Sequence, residues 1–242
     1  MKEFKEIYAV NYDYVEKTYL NILNKITMDD IKASDKFFDL KSRKTYVVIE
    51  GEEIYIKFFE FPRVSDEKLY YMINNELKYL YHGQKRLIFS YRKIEEKLGK
   101  LKVVVFFIST DNLKKIEEDV ENKNIKAIKM IQFCFVDYYK KIVKEKSFVL
   151  CFLYREDTYI VEVKDGYIYA NGVYSSRNKK LYSLKNYLST FIENNVDKEL
   201  FSNFYVVEKS IEDKEALVLI ENSFNICNLK RINKNELTKL IV

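Results

Sequence analysis

The sequence predicts an α/β (α+β) fold, and three observations carry that expectation. The run FVLCFLY at 148–154 is followed by TYIVEV and GYIYANGVY, three apolar-rich stretches separated by turn residues that read as a strand meander. Helical spacing and strand-like runs then alternate to the C-terminus. Earlier, FFEFPRVSDEKL at 58–69 passes from an aromatic strand, through the only proline of the chain, into an acidic helix start.

Taken in order, residues 46–49 and 54–59 read as two strands joined at 50–53, with Ile54, Ile56 and Phe58 sharing one face. Pro62 ends the second strand, because it offers no N–H to a ladder and its ring blocks a helix interior. Ser65 then stands as the N-cap, with Asp66 and Glu67 in the first turn, where the helix dipole favours acids. Leu69, Met72, Ile73, Leu77 and Leu80 recur at helical spacing, and Gly83 after the lone His82 marks the expected stop. A strand near 87–94 and a turn at Gly99 lead to VVVFFI at 103–108, whose lack of polar alternation predicts a central strand covered on both faces. Asp111 caps an expected helix with Leu113, Ile116 and Val120 inward, and a further strand falls around 125–131.

In the second half, Asp165-Gly166 and Asn171-Gly172 are hairpin-type signals. Leu181, Leu184, Leu188, Phe191 and Ile192 fall on one helix face. FYVVE, a short helix over 212–222 and SFNICNL then close the chain as strand, helix, strand. Three antiparallel strands followed by this alternation form the pattern of a ribonuclease-H-like layer, which is also the building block of the actin-like fold.

Composition narrows the function. At 242 residues and 48% apolar, the chain can form one large domain or two modest lobes. Its 42 Lys+Arg and 37 Asp+Glu are dispersed, giving +5 without the clustered basic face that nucleic acid or an anionic membrane would select. Cys134, Cys151 and Cys227 are odd in number and sit in or beside apolar runs, reading as free thiols in a reducing compartment, and no pair has metal-ligand spacing. The five glycines are never grouped, so no phosphate-cradling loop is expected. The candidate acids Glu50, Glu52 and Glu53, or Glu156, Asp157 and Asp165, read as turn residues, and FVLCFLY lacks the carboxylate with which a ribonuclease-H-like nuclease holds metal. The expectation is therefore a protein that is not an enzyme, with no metal and no cofactor. The acid-bearing start is no signal peptide, the tail NELTKLIV is too short to anchor, and no apolar run approaches the ~20 residues of a membrane span, so a cytoplasmic protein is expected.

The stretch VVIEGEEIYIKFFEFPRVSDEKLYYMINNEL resembles a segment of the PilM family, actin-like cytoplasmic proteins of type IV pilus machines. In that family a strand pair leads through a proline corner into a serine-aspartate-glutamate helix start, here residues 46–49 and 54–61, Pro62, and Ser65, Asp66 and Glu67. The similarity continues through KVVVFFISTDNLKKIEEDVENKNIKAIKMIQFCFVDYYK and resumes at FVLCFLYREDTYIVEVKDGYIYANGVY. The resemblance implies a reduced actin-like, ribonuclease-H-like two-lobe fold. Its first lobe is 1–135, with a small α/β subdomain inserted at about 46–133, and its second lobe is 136–242, joined through a connector near 133–141.

Departures from the family fall at its nucleotide turns. The opening EFKEIYAVNYDYVEKTYL has no glycine, so the first phosphate hairpin is expected to be missing. Phe152, Leu153 and Tyr154 stand near the second phosphate turn, and Val206-Val207-Glu208-Lys209-Ser210 replaces a strand end that carries paired glycines in relatives. The implied function is a nucleotide-free scaffold of the pilus inner-membrane assembly platform. It would hold the short cytoplasmic N-terminus of a PilN-like single-pass membrane protein, alongside other platform proteins and the assembly ATPase. It would lie at the inner face of the membrane through its partners, without nucleic acid. Ile54, Ile56 and Phe58 are the candidate partner-binding residues, with packing of the subdomain core as their other reading. Alternatives are a GspL-like component of a type II secretion platform, an FtsA-type division protein, or an actin-like ATPase or nucleic-acid binder.

Overall fold

The computed structural model describes residues 4–10, 15–21, 25–26, 44–82, 87–109, 125–175 and 183–242. The chain divides into two compact units: Met1–Glu52 together with Glu117–Val242, and Glu53–Ile116.

The larger unit holds two five-stranded sheets of one design. In the first, β1 (Phe4–Val10) runs antiparallel to β2 (Val15–Asn21), which pairs with the short β3 (Lys25–Ile26). Strand β4 (Lys44–Ile49) adds to β1 in parallel, and β8 (Ile125–Met130) adds to β4 in parallel, giving the order β3-β2-β1-β4-β8. In the second, β9 (Phe148–Tyr154), β10 (Asp157–Lys164) and β11 (Tyr167–Ser175) form an antiparallel meander. There β12 (Asn203–Val207) lies parallel to β9, and β13 (Asn225–Leu229) parallel to β12, in the order β11-β10-β9-β12-β13. The layer expected for the second half of the chain thus occurs twice.

This corrects the reading of the opening segment. The strand pair expected to be missing is present, in unbroken register from Phe4↔Asn21 to Val10↔Val15. Pairing needs strand-forming residues, which Ile7, Tyr8, Val10, Val15, Thr18 and Tyr19 supply. A glycine is required only where a turn needs positive φ or a ligand comes close to the backbone. Residues 46–49 and 54–59 are also not partners, since β4 belongs to the first sheet and β5 (Tyr55–Pro62) to the smaller unit.

Helices cover both faces of the second sheet. Helix α2 (Ile131–Tyr139) starts where β8 ends and is buried on several sides, as IQFCFVDYY dictates, so the expected connector at 133–141 is largely this helix. Its Phe135 stacks on Phe152 at 3.9 Å, and Phe152 stacks on Tyr159 at 4.9 Å. On the opposite face, α3 (Leu184–Asn195) and α4 (Lys214–Glu221) bury Leu188, Phe191, Ile192, Ala216 and Ile220 against Val149, Cys151, Ile160, Phe204 and Val206. The last helix, α5 (Lys234–Ile241), begins in a full capping box at Asn233 and Glu236. Tyr138 Oη donates to Glu236 Oε2 at 3.2 Å, and Lys129 Nζ donates to the Leu240 carbonyl at 2.6 Å near the negative end of that helix.

Two glycine signals part ways. Asp165 and Gly166, with φ of 49° and 81°, form the β10–β11 turn as expected. Asn171 and Gly172 lie inside β11 opposite Val161 and Ile160, so the second hairpin signal is wrong. A Cβ on Gly172 would stand 2.4 Å from Tyr187 Oη and 3.1 Å from Phe191 Cδ2, so this glycine serves the approach of α3 to the sheet.

The smaller unit is a three-stranded antiparallel sheet in which β7 (Lys100–Ser109) lies between β5 and β6 (Leu87–Lys97), with α1 (Asp66–Leu80) on one face. Leu69, Ile73 and Leu77 of α1 pack on Phe61 of β5 and on Leu101, Val103, Val105 and Phe107 of β7 (Lys100–Ser109). Residues 103–108 are all buried, as the unbroken apolar run predicts for a central strand. Pro62 is itself the last residue of β5, opposite Lys100, at a strand end on the sheet's edge, where its missing N–H is tolerated. Ser65 caps α1 by accepting from the Lys68 amide at 3.4 Å, and the helix ends at Leu80, before His82. A two-residue turn, Leu98-Gly99, joins β6 (Leu87–Lys97) to β7. Gly83, Leu181 and the helix expected from Asp111 lie outside the described residues. No helix among the described residues is long and apolar enough to cross a membrane.

Candidate binding cavity

A cavity of about 540 Å³ opens at the C-terminal ends of β9 and β12. The β9–β10 turn brings Arg155 and Glu156 to it, β10 contributes Thr158, and β11 contributes Tyr174. The start of α3 adds Ser183 and Leu184, and the β12–α4 loop adds Lys209, Ser210, Glu212 and Asp213. Two of the segments that the family resemblance marks as phosphate turns therefore meet here, one just beyond Phe152-Leu153-Tyr154 and the other at Lys209-Ser210.

The local geometry gives both turns to side chains. Arg155 and Lys209 hold left-handed backbones, φ 55° and 64°, a conformation that glycine adopts without strain. Ser210 Oγ accepts from the Leu153 amide at 2.8 Å and ties the end of β9 to the loop after β12. Asp213 Oδ1 accepts from the amides of Glu215 and Ala216 at 3.0 and 3.2 Å, and Ser183 Oγ accepts from the Asn186 amide at 3.2 Å. Both helix N-termini that border the cavity are thus engaged by their own caps, and at α4 the cap is a carboxylate.

Arg155 also reaches the end of the first sheet. Its Nε lies 3.0 Å from Glu50 Oε1, and the Glu50 side chain is only 2% exposed. The residues after Glu50 are fastened in the same direction. The Gly51 amide donates to Tyr159 Oη at 2.6 Å, and Gln132 Nε2 donates to the Glu52 carbonyl at 2.6 Å. Burial pushes the Glu52 carboxyl above its ordinary value.

The acids weighed as catalytic do not converge. Glu50 is paired with Arg155, Glu53 belongs to the smaller unit, and Glu156 lines the cavity. Asp165 follows the far end of β10, roughly 30 Å along the strand from Glu156 at about 3.3 Å per residue. Among the described residues, no group of three or more His, Cys, Asp or Glu is placed to hold a metal ion. Burial pushes the Cys134 thiol up to about 11 and the Cys151 thiol higher still, so these sulfurs pack as apolar groups.

Ile54 is buried just before β5, Ile56 is half-buried, and Phe58 is 36% exposed. By strand alternation Ile56 and Phe58 lie on the face away from α1, while Phe59 and Phe61 form the helix-facing set, so the smaller unit's core against α1 is built without these three. The cavity residues Arg155, Thr158, Lys209 and Ser210 carried no pattern in the sequence, because they meet only through the β9–β12 pairing.

No family model matches the sequence, and no curated protein matches it. Structural likeness is extensive instead. A chain of the PilM-PilN type IV pilus biogenesis complex is similar over 100% of this chain and 95% of its own length, with TM-score 0.56 and 9% identity. The cytoplasmic domain of EpsL, an inner-membrane component of the type II secretion system of Vibrio cholerae, is similar over 98% of this chain and 94% of its own, with TM-score 0.54 and 9% identity. A Bacteroides thetaiotaomicron protein described as having an actin-like ATPase fold and unknown function aligns at TM-score 0.49 and 13% identity, covering 98% of this chain and 96% of its own. The fold is actin-like. Its two copies of the layer β3-β2-β1-β4-β8 and β11-β10-β9-β12-β13, with β5 to β7 inserted between β4 and β8, follow the chain order expected for that fold.

Proposed function

We propose that this chain is a non-catalytic scaffold of a type IV pilus inner-membrane assembly platform, holding the short cytoplasmic N-terminus of a PilN-like membrane protein. The observation that carries the reading is the likeness, over almost the whole of both chains, to a member of the PilM-PilN complex. The cavity supports a role without nucleotide. Its helix N-termini are occupied by caps, and Glu156, Glu212 and Asp213 would repel phosphates that free amides and glycines attract elsewhere. A peptide held by main-chain hydrogen bonds and alternate side chains needs no reactive group, and the edge strand β5 with half-exposed Phe58 is the candidate place for it.

The likeness to the EpsL cytoplasmic domain favours a second reading, a component of a type II secretion platform. Pilus or secretion genes beside the coding gene separate the two.

Calorimetry with the first dozen or so residues of the adjacent single-pass membrane protein tests the adaptor role. The expected result is binding on the micromolar scale, about −8 kcal/mol, which disappears when the apolar positions of the peptide become aspartate. Magnesium-ATP titrated into the same protein is expected to give no heat. Micromolar ATP binding would falsify the nucleotide-free reading, and silence from the peptide together with tight binding of DNA or RNA overturns the adaptor.

A further inference from the structure

Among the described residues, β6 pairs with β7 on one side and with no strand on the other. Its second half is guarded as free strand edges usually are, by the charges of Arg92, Lys93, Glu95, Glu96 and Lys97 and by a bulge between Lys93 and Glu95. Its first half, Leu87 to Tyr91, carries no charge. Exposed aromatic surface borders that half. Tyr70 of α1 stacks on Phe89 at 4.8 Å, Tyr71 meets Tyr70 edge-on at 6.0 Å, and the two tyrosines remain 48% and 57% exposed. An uncharged strand edge beside exposed rings is a template for another strand.

The stretch in regular register with β7, Leu87–Lys93, has Ser90 at its middle. Laid antiparallel on a second copy of itself about that residue, it sets Phe89 opposite Tyr91 of the second copy, Ile88 opposite Arg92 and Leu87 opposite Lys93. Each pair shares a face, and no like charges meet. Just outside the stretch, the sequence has Lys85 and Arg86 on one side and Glu95 and Glu96 on the other. Antiparallel pairing brings these opposite signs to the same ends. Glu95 and Glu96 are engaged by Lys97 and Arg63 in exposed pairs, which exchange partners at little cost.

We propose that β6 docks a second copy of this chain, by two-fold antiparallel pairing of Leu87–Lys93 across Ser90. The two sheets then continue as one, with both α1 helices on the same face and their tyrosines beside the seam. This edge is opposite β5 in the sheet, so the proposal neither uses the peptide edge nor rests on the platform reading.

The test is sedimentation velocity on the full chain over a range of concentrations. A monomer–dimer equilibrium is expected, with a dissociation constant on the order of 10 μM, the scale of a small interface. Ser90 is exposed, so Ser90→Lys and Ser90→Glu are each expected to keep the thermal midpoint. Each sets like charges opposite one another at the two-fold axis and is expected to weaken the dimer about fivefold or more. Mixing the two variants is expected to restore it as a heterodimer. The register is read by Ser90→Cys, which mild oxidation is expected to link across the axis, where the two positions stand directly opposite. Arg92→Cys, opposite Ile88, is expected to form no link above the wild-type background of Cys227. A chain that stays monomeric and is not linked through Ser90→Cys overturns the proposal. A dimer indifferent to Ser90→Lys, a mixture no tighter than either variant alone, or growth into larger oligomers overturns it too.

Discussion

At Gly172 the sheet and α3 stand within one methyl group of collision. A Cβ there would meet Tyr187 Oη at 2.4 Å and Phe191 Cδ2 at 3.1 Å, and Phe191 is part of the core. Gly172→Ala is expected to cost about 1–3 kcal/mol by overpacking, read as a lowered urea midpoint with unchanged slope. Glu162 raises a different single-residue question. Its side chain is 2% exposed, 3.0 Å from Lys164, whose ammonium in turn lies over Tyr169 and Phe201. Burial is the larger influence and pushes the Glu162 carboxyl above its ordinary 4.5, while the Lys164 contact pulls it back in part. Between 4.5 and its folded value, the folded state holds more protons than the unfolded one, so this group's contribution to stability falls as pH rises through that window. Measured against Glu162→Gln, the wild type should therefore gain stability as pH is lowered from neutral toward 4.5. A difference that stays constant with pH would show that the carboxyl titrates normally.

The hairpin β6–β7 turns through Leu98 at φ 49° and Gly99 at φ 74°, and Leu98 makes the first of these at full exposure. A left-handed leucine is unfavourable by about 1 kcal/mol relative to residues that tolerate the conformation, and no burial offsets it. Leu98→Asn is expected to raise stability by about 0.5 kcal/mol, since asparagine suits this type of turn. Thermal denaturation of the pair checks it, and a lowered midpoint would show that the leucine side chain is used. At the other end of the same unit, Ser65 caps α1 over 3.4 Å, a long contact that places the cost of Ser65→Ala at the low end of the usual range for caps, about 0.5 kcal/mol. The asparagine of the capping box at α5, with contacts of 2.9 and 3.0 Å, is expected to matter more.

Across the larger unit, the two sheets are joined by a short set of polar contacts on residues 50–52. Glu50 meets Arg155 at the β9–β10 turn, Gly51 meets Tyr159 on β10, and Glu52 meets Gln132 on α2. Removing Arg155 leaves Glu50 without its guanidinium partner in a buried position, whereas removing both charges does not. A double-mutant cycle of Glu50→Gln and Arg155→Met is expected to give a coupling of about 1–2 kcal/mol, trimmed because the guanidinium is partly solvated. Additive effects of the two substitutions would mean that the pair does not join the sheets energetically.

Much of this architecture was legible in the residues. The meander at 148–175, the buried run at 103–108, the caps at Ser65 and the two-residue turns at Gly99 and Gly166 are local consequences of periodicity, branching and backbone freedom, which neighbouring residues settle among themselves. Other features were decided only by tertiary structure. Asn171-Gly172 has the chemistry of a turn, but the approach of α3 places it in mid-strand, and the glycine-free opening forms a full strand pair because its pairing is with residues far along the chain as well as near. The cavity belongs to the same class. Arg155, Thr158, Lys209 and Ser210 are unremarkable side chains about fifty residues apart, and they acquire a shared environment only when β12 pairs with β9, because burial and the neighbours of a charge are properties of a place in the fold and not of a stretch of sequence.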